Sequence, residues 1–86
     1  MLDHRLVARA FGATLKGIRL DAGMSQELLA ERADCDRTYP SLLERGLRQP
    51  TLSVLIDIAS ALQVQPASLV NMTIAKLGEG DSVNAL

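Results

Sequence analysis

The stretch Ser25-Gln26-Glu27-Leu28-Leu29-Ala30-Glu31-Arg32-Ala33-Asp34-Cys35-Asp36-Arg37-Thr38-Tyr39-Pro40-Ser41-Leu42-Leu43-Glu44-Arg45-Gly46 decides the fold. Ser25 offers a side-chain oxygen to the first free N–H groups of a helix, and Met24 before it is placed to pack back on Leu28 or Leu29. Cap and spacing predict a helix over residues 26 to about 33. Asp34-Cys35-Asp36 interrupts that pattern after about two turns. Asp36 then caps a third helix expected over residues 37–45 and ended by Gly46. Pro40 has no N–H and is tolerated in a first turn, so a start at Thr38 is the alternative.

Outward from this unit the chain stays helical. On the N-terminal side Leu6, Val7, Phe11, Leu15 and Ile18 recur at helical spacing, predicting a first helix over about residues 3–21 with a stop at Gly23. Gly12 and Gly17 inside it each cost about 1 kcal/mol relative to alanine, which calls for a close neighbouring backbone. On the C-terminal side Gln49-Pro50 breaks the chain and Thr51 caps a helix whose apolar stripe is Leu52, Leu55, Ile56, Ala59 and Leu62. Pro66 opens a fifth helix, expected over about residues 67–77. Gly78-Glu79-Gly80-Asp81-Ser82 reads as the start of a mobile tail. Residues 1–77 therefore form one expected domain, residues 78–86 its tail.

Composition narrows the class. The chain has 86 residues and is 48% hydrophobic, yet it holds one Phe, one Tyr and no Trp. Its core must come from Leu, Ile, Val, Ala and Met, which favours helices packed on helices. Net charge is −1 and the isoelectric point near 5.7, unlike a uniformly basic nucleic-acid binder. Charge is nevertheless local, because residues 37–56 carry Arg37, Arg45 and Arg48 against the single acid Glu44. Cys35 has no partner for an internal disulfide and reads as a small core residue. No signal peptide and no spanning apolar run is expected, which points to the cytoplasm and away from a membrane partner. With one His and one Cys there is no catalytic set, metal site or cofactor motif, and His4 reads as a solvent-facing residue.

Two short helices on a tight turn, embedded among three others, match the helix-turn-helix layout, in which the second helix enters the major groove. Phe11-Gly12, Lys16, Ile18-Arg19, Gly23-Met24-Ser25-Gln26, Leu29-Ala30, Asp36-Arg37-Thr38-Tyr39, Leu43-Glu44-Arg45-Gly46, Pro50-Thr51-Leu52 and Ala59-x-x-Leu62-x-Val64 resemble the Cro/C1-type (Xre) family. The resemblance implies an all-α, five-helix, lambda-repressor-like domain. The function it implies is a transcriptional regulator that binds an inverted-repeat operator in double-stranded DNA as a homodimer, with RNA polymerase a further candidate partner. A narrower likeness, to restriction–modification controller proteins and similar mobile-element regulators, implies autoregulation.

The same resemblance assigns roles by position. Arg37, Thr38, Tyr39, Ser41 and Leu42 would face bases, with Arg37 suited to guanine O6 and N7 and Tyr39 to a phosphate or a thymine methyl. Gln26, Arg45 and Arg48 would hold phosphates, and Arg19 and Glu44 would pair to align the reading helix. Three positions depart from the pattern: Asp34 stands where Gly is usual, Pro40 where Ile or Val is usual, and Leu42 where a polar residue is usual. On the fifth helix the apolar stripe Leu69, Val70, Thr73, Ile74 and Leu77 exceeds the needs of a four-helix core. A dimer interface centred on Leu69, Ile74 and Leu77 is expected, with Val70 beside it; packing against Leu6 and Val7 is the alternative. Two other functions fit the same fold: an antitoxin that captures a toxin through its tail, and a protein-interaction module that has lost DNA binding.

Overall fold

The computed structural model describes residues 2–80, which form α1 (His4–Asp21), α2 (Gln26–Arg32), α3 (Tyr39–Glu44), α4 (Leu52–Leu62) and α5 (Pro66–Gly80), with no strand among them. Three helices begin on side-chain caps: Asp3 accepts from the Arg5 N–H, Ser25 from Leu28 and Thr51 from Val54. Such caps contribute about 1 kcal/mol each. The first four helices all end in one motif, a left-handed residue followed by a backbone bond reaching five residues back. The left-handed residues are Gly23, Asp34, Gly46 and Gln63, and the closing bonds are Met24 N to Arg19 O, Cys35 N to Ala30 O, Leu47 N to Leu42 O and Val64 N to Ala59 O, at 2.9–3.1 Å. Asp34 adopts φ +56°, a conformation for which Asp is among the better-suited non-glycine residues.

α1 lies against both α5 and α3, α2 packs on α3 and α4, and α4 packs on α5. Phe11, Leu15, Leu29, Leu43, Ile58 and Leu69 meet in one core cluster, which also takes in Met24. Cys35 is half-buried at its edge; burial first, then Asp36, Asp34 and Asp57, push its thiol pKa up. No single helix among the described residues is long and apolar enough to cross a membrane.

Several expectations need correcting. α3 begins at Tyr39 rather than Arg37, because Pro40 has no N–H to give the Asp36 carbonyl and the Tyr39 N–H takes it instead at 3.0 Å. On α4 the buried face is Leu55, Ile58, Ala59 and Leu62, whereas Leu52 and Ile56 are exposed. On α5 Leu69, Thr73 and Leu77 turn inward and Val70 and Ile74 remain exposed; Leu69, fully buried, is closed to a second copy, whereas Leu77 borders an apolar surface groove with Val70 and Ile74. α5 also runs on through Gly78 to Gly80, so the expected tail begins as helix, and residues 81–86 lie outside the described part.

The two glycines of α1 differ. A Cβ at Gly12 would collide with the Leu43 carbonyl oxygen and come within 2.7 Å of that of Glu44, so the close backbone is the end of α3. At Gly17 a Cβ would meet nothing within 4 Å, and packing gives no reason for that glycine.

Thr14 is 1% exposed and its hydroxyl has no hydrogen-bond partner. Valine has nearly the same shape without the stranded polar atom, so Thr14→Val is expected to raise stability by about 1 kcal/mol. Thermal unfolding followed by circular dichroism checks it, with a rise of about 4–8 °C in Tm anticipated for a domain of this size. A lower Tm would mean that the hydroxyl has a partner in solution.

Candidate nucleic-acid interface

One ionic cluster fixes the α2–turn–α3 unit to α1. Arg19 Nε donates to Glu44 Oε2 at 2.6 Å and Arg19 Nη2 to Glu44 Oε1 at 3.0 Å, a bidentate pair in which the two side chains are 9% and 4% exposed. Arg19 Nη1 donates to the Met24 carbonyl at 2.8 Å, and Gln26 Nε2 donates to Glu44 Oε1 at 3.0 Å. The Glu44 bonds raise the Arg19 pKa above its ordinary value against the opposing effect of burial, so the guanidinium stays charged inside the fold. Arg19, Met24, Gln26 and Glu44 thereby join the end of α1, the start of α2 and the end of α3.

The other end of α3 is open. Asp36 Oδ1 accepts from the Thr38 N–H at 2.8 Å and from its hydroxyl at 2.7 Å, bonds that hold the Asp36 carboxyl below its ordinary pKa. This turn presents Arg37 and Thr38, both exposed, just ahead of the first residue of α3. Arg37 Nη2 lies 2.6 Å from Glu27 Oε2 on α2. A shallow groove between the two helices is lined by Gln26, Glu27, Arg37, Thr38, Ser41 and Arg45.

The expected site residues divide accordingly. Arg37, Thr38, Ser41, Gln26 and Arg45 share the groove, and Arg45 Nε also donates to the Ser41 carbonyl at 3.3 Å. Gln26 has committed one amide N–H to Glu44, and its amide carries a second N–H. Tyr39 lies beside the groove: its half-buried ring packs on the core cluster and its hydroxyl donates to the Gln49 carbonyl at 3.5 Å. Leu42 is half-buried and lies outside the groove. Arg48 is exposed on a separate flank, where it lines a second depression with His4, Arg5 and Gln49, and Gln49 Nε2 donates to the His4 carbonyl at 3.1 Å. Glu27 escaped the sequence reading because an exposed acid in the first turn of a helix is unremarkable there. Its significance appears only once α3 is set beside it.

A buried clamp under two short helices, with the second helix leading on exposed hydrogen-bond donors, defines a DNA-binding helix-turn-helix domain. The chain belongs to that family: the family model described as "Helix-turn-helix domain" matches residues 10–71. Within it the chain is similar to the control protein C.BamHI of Bacillus amyloliquefaciens, 45% identical over 64 residues, covering 73% of this chain and 79% of that protein. Its fold is similar to the restriction–modification controller protein C.AhdI of Aeromonas hydrophila, with TM-score 0.71 and 37% identity over 72% of this chain and 94% of the other. It is also similar to the controller protein C.Esp1396I, solved as a tetramer on its natural 35 base-pair operator, with TM-score 0.74 and 35% identity over 83% and 93% of the two chains. The relatives are transcriptional regulators, and this chain is a regulator of that kind.

Proposed function

We propose that the chain acts as a homodimer, each copy placing α3 in one of two successive major grooves of an inverted repeat near its own promoter. The observation that carries this reading is Arg37, its side chain 79% exposed at the leading edge of a helix whose far end is clamped by Arg19 and Glu44. Arg37 reads guanine O6 and N7 there, Thr38 and Ser41 meet neighbouring base edges, Tyr39 meets a thymine methyl or a phosphate, and Gln26, Arg45 and Arg48 hold phosphates. The similar proteins include controller proteins, one of them described as bound to its operator, which favours an autoregulatory role acting in the cytoplasm at the nucleoid, with RNA polymerase the further partner at a promoter.

A second copy has an apolar face to meet. Val70 and Ile74 of α5, with Leu52 of α4 and Val7 of α1, line a groove of about 350 Å³ on a side of the molecule that shares no lining residue with the Arg37 groove. Ile56, one turn along α4 from Leu52, is also exposed. With Leu69 in the core, Val70, Ile74 and Leu77 remain from the expected interface, all three lining this groove.

A footprint on the DNA upstream of the gene is expected to show two protected tracts centred about 34 Å apart, one helical turn. Arg37→Ala is expected to cost about 1–3 kcal/mol on that site and to relax preference at one base position, whereas Arg45→Ala or Arg48→Ala should weaken all duplexes alike and flatten the salt dependence. No protection at low ionic strength would defeat the reading. Competition by scrambled duplex that is unchanged in the Arg37 variant would remove Arg37 from base recognition.

A further inference from the structure

Glu27 is an acid where a polyanion is expected to dock. It lines the groove with Arg37, Thr38 and Arg45, its side chain is 65% exposed, and its carboxylate approaches Arg37 Nη2 to 2.6 Å. Ion pairs this exposed contribute little to folding, so the contact has slight value as a staple for the domain. Its geometry matters for another reason. A carboxylate at that spot repels phosphates on any duplex, and while paired it also neutralises the arginine that would otherwise grip a backbone indiscriminately.

Resting on the DNA-binding reading above, we infer that Glu27 is a specificity-determining residue that holds Arg37 in reserve until a guanine replaces it. In the unbound chain the pair holds the guanidinium against Glu27 in the groove that both residues line. On a matching site Arg37 exchanges one carboxylate for the two acceptors of guanine, and the freed Glu27 carboxylate can accept from a cytosine amino group. On a mismatched site the exchange has no such compensation, and both the pair and the repulsion persist. Glu27 therefore lowers affinity for arbitrary sequence more than for the operator, which is discrimination by penalising the wrong partner.

Glu27→Gln keeps size and polarity and removes the charge. The test uses the full chain, a duplex enriched by the wild-type protein from a randomised pool, and a scrambled duplex of the same length. Affinity of the variant for scrambled duplex is expected to rise about five-fold, with a salt slope steeper by about 0.9, as for one more phosphate neutralised. Affinity for the enriched duplex should change less than about two-fold, so the specificity ratio falls. The same substitution in an Arg37→Ala background should leave the ratio unaltered, because Glu27 acts through Arg37. Equal tightening on both duplexes, or a falling ratio in the Arg37→Ala background, would overturn the inference and leave Glu27 a plain repulsive charge. Failure of the wild-type chain to enrich any duplex is a different result: it would remove the DNA-binding reading and this inference with it.

Discussion

Replacing Glu44 by alanine is expected to lower the free energy of unfolding by about 3–5 kcal/mol, the cost of leaving a buried arginine without its partner. Arg19 is 8% exposed and meets the Glu44 carboxylate through two nitrogens, so water cannot take over that role without opening the helix junction. A domain of this size has about 4–13 kcal/mol in all, so the variant approaches the edge of folding. Urea titration checks this through a lower midpoint at unchanged slope. The paired substitution Arg19→Met with Glu44→Met removes both charges and should recover most of the loss, since apolar side chains of similar volume often replace a buried ion pair without penalty. Stability recovered without DNA binding would show the cluster to be an aligning device, because α3 would then have lost its registration against Gln26. A Glu44→Ala midpoint indistinguishable from wild type would contradict the clamp.

Gly12→Ala is expected to be the second most damaging change. The added methyl would press on the carbonyl groups of Leu43 and Glu44, which are backbone and cannot rotate away. Overpacking of this kind costs about 1–3 kcal/mol. Alanine's better helix propensity returns about 1 kcal/mol, so net destabilisation identifies the clash. Gly17→Ala is the internal control: with open space around its Cβ it should gain up to about 1 kcal/mol. Parallel thermal melts of the two variants settle the contrast, and similar shifts in both would remove α3 as the cause. Because the clash falls at the end of α3, Gly12→Ala should also weaken duplex binding under conditions where the protein remains folded.

Local signals made much of this structure legible in the sequence. Ser25 and Thr51 cap α2 and α4, and Gly23 and Gly46 stop α1 and α3, because each acts within a few residues of itself. Tertiary phase was harder to read. α4 and α5 carry apolar residues around much of their circumference, so periodicity could not decide whether Leu52 or Ile58, Leu69 or Val70, faced inward; the packing of α5 on α1 and α4 decides it. Gln63, left-handed at φ +58°, has no residue-type signal that would announce it. At the site, Arg37 and Thr38 were legible as the polar lead of the reading helix, but the exact start of α3 depended on how the Asp36 carbonyl would be satisfied beside Pro40. Neither the bond from Gln26 to Glu44 nor the pair between Glu27 and Arg37 is visible before the two helices are set side by side.

The bond from Arg19 to the Met24 carbonyl brings the entrance of α2 under the guanidinium that already holds the end of α3. A reading head tied at both ends arrives at its ligand already ordered, with little conformational entropy left to lose on contact. The heat-capacity change measured calorimetrically on association should then follow the apolar area covered, without the larger excursion that accompanies coupled folding.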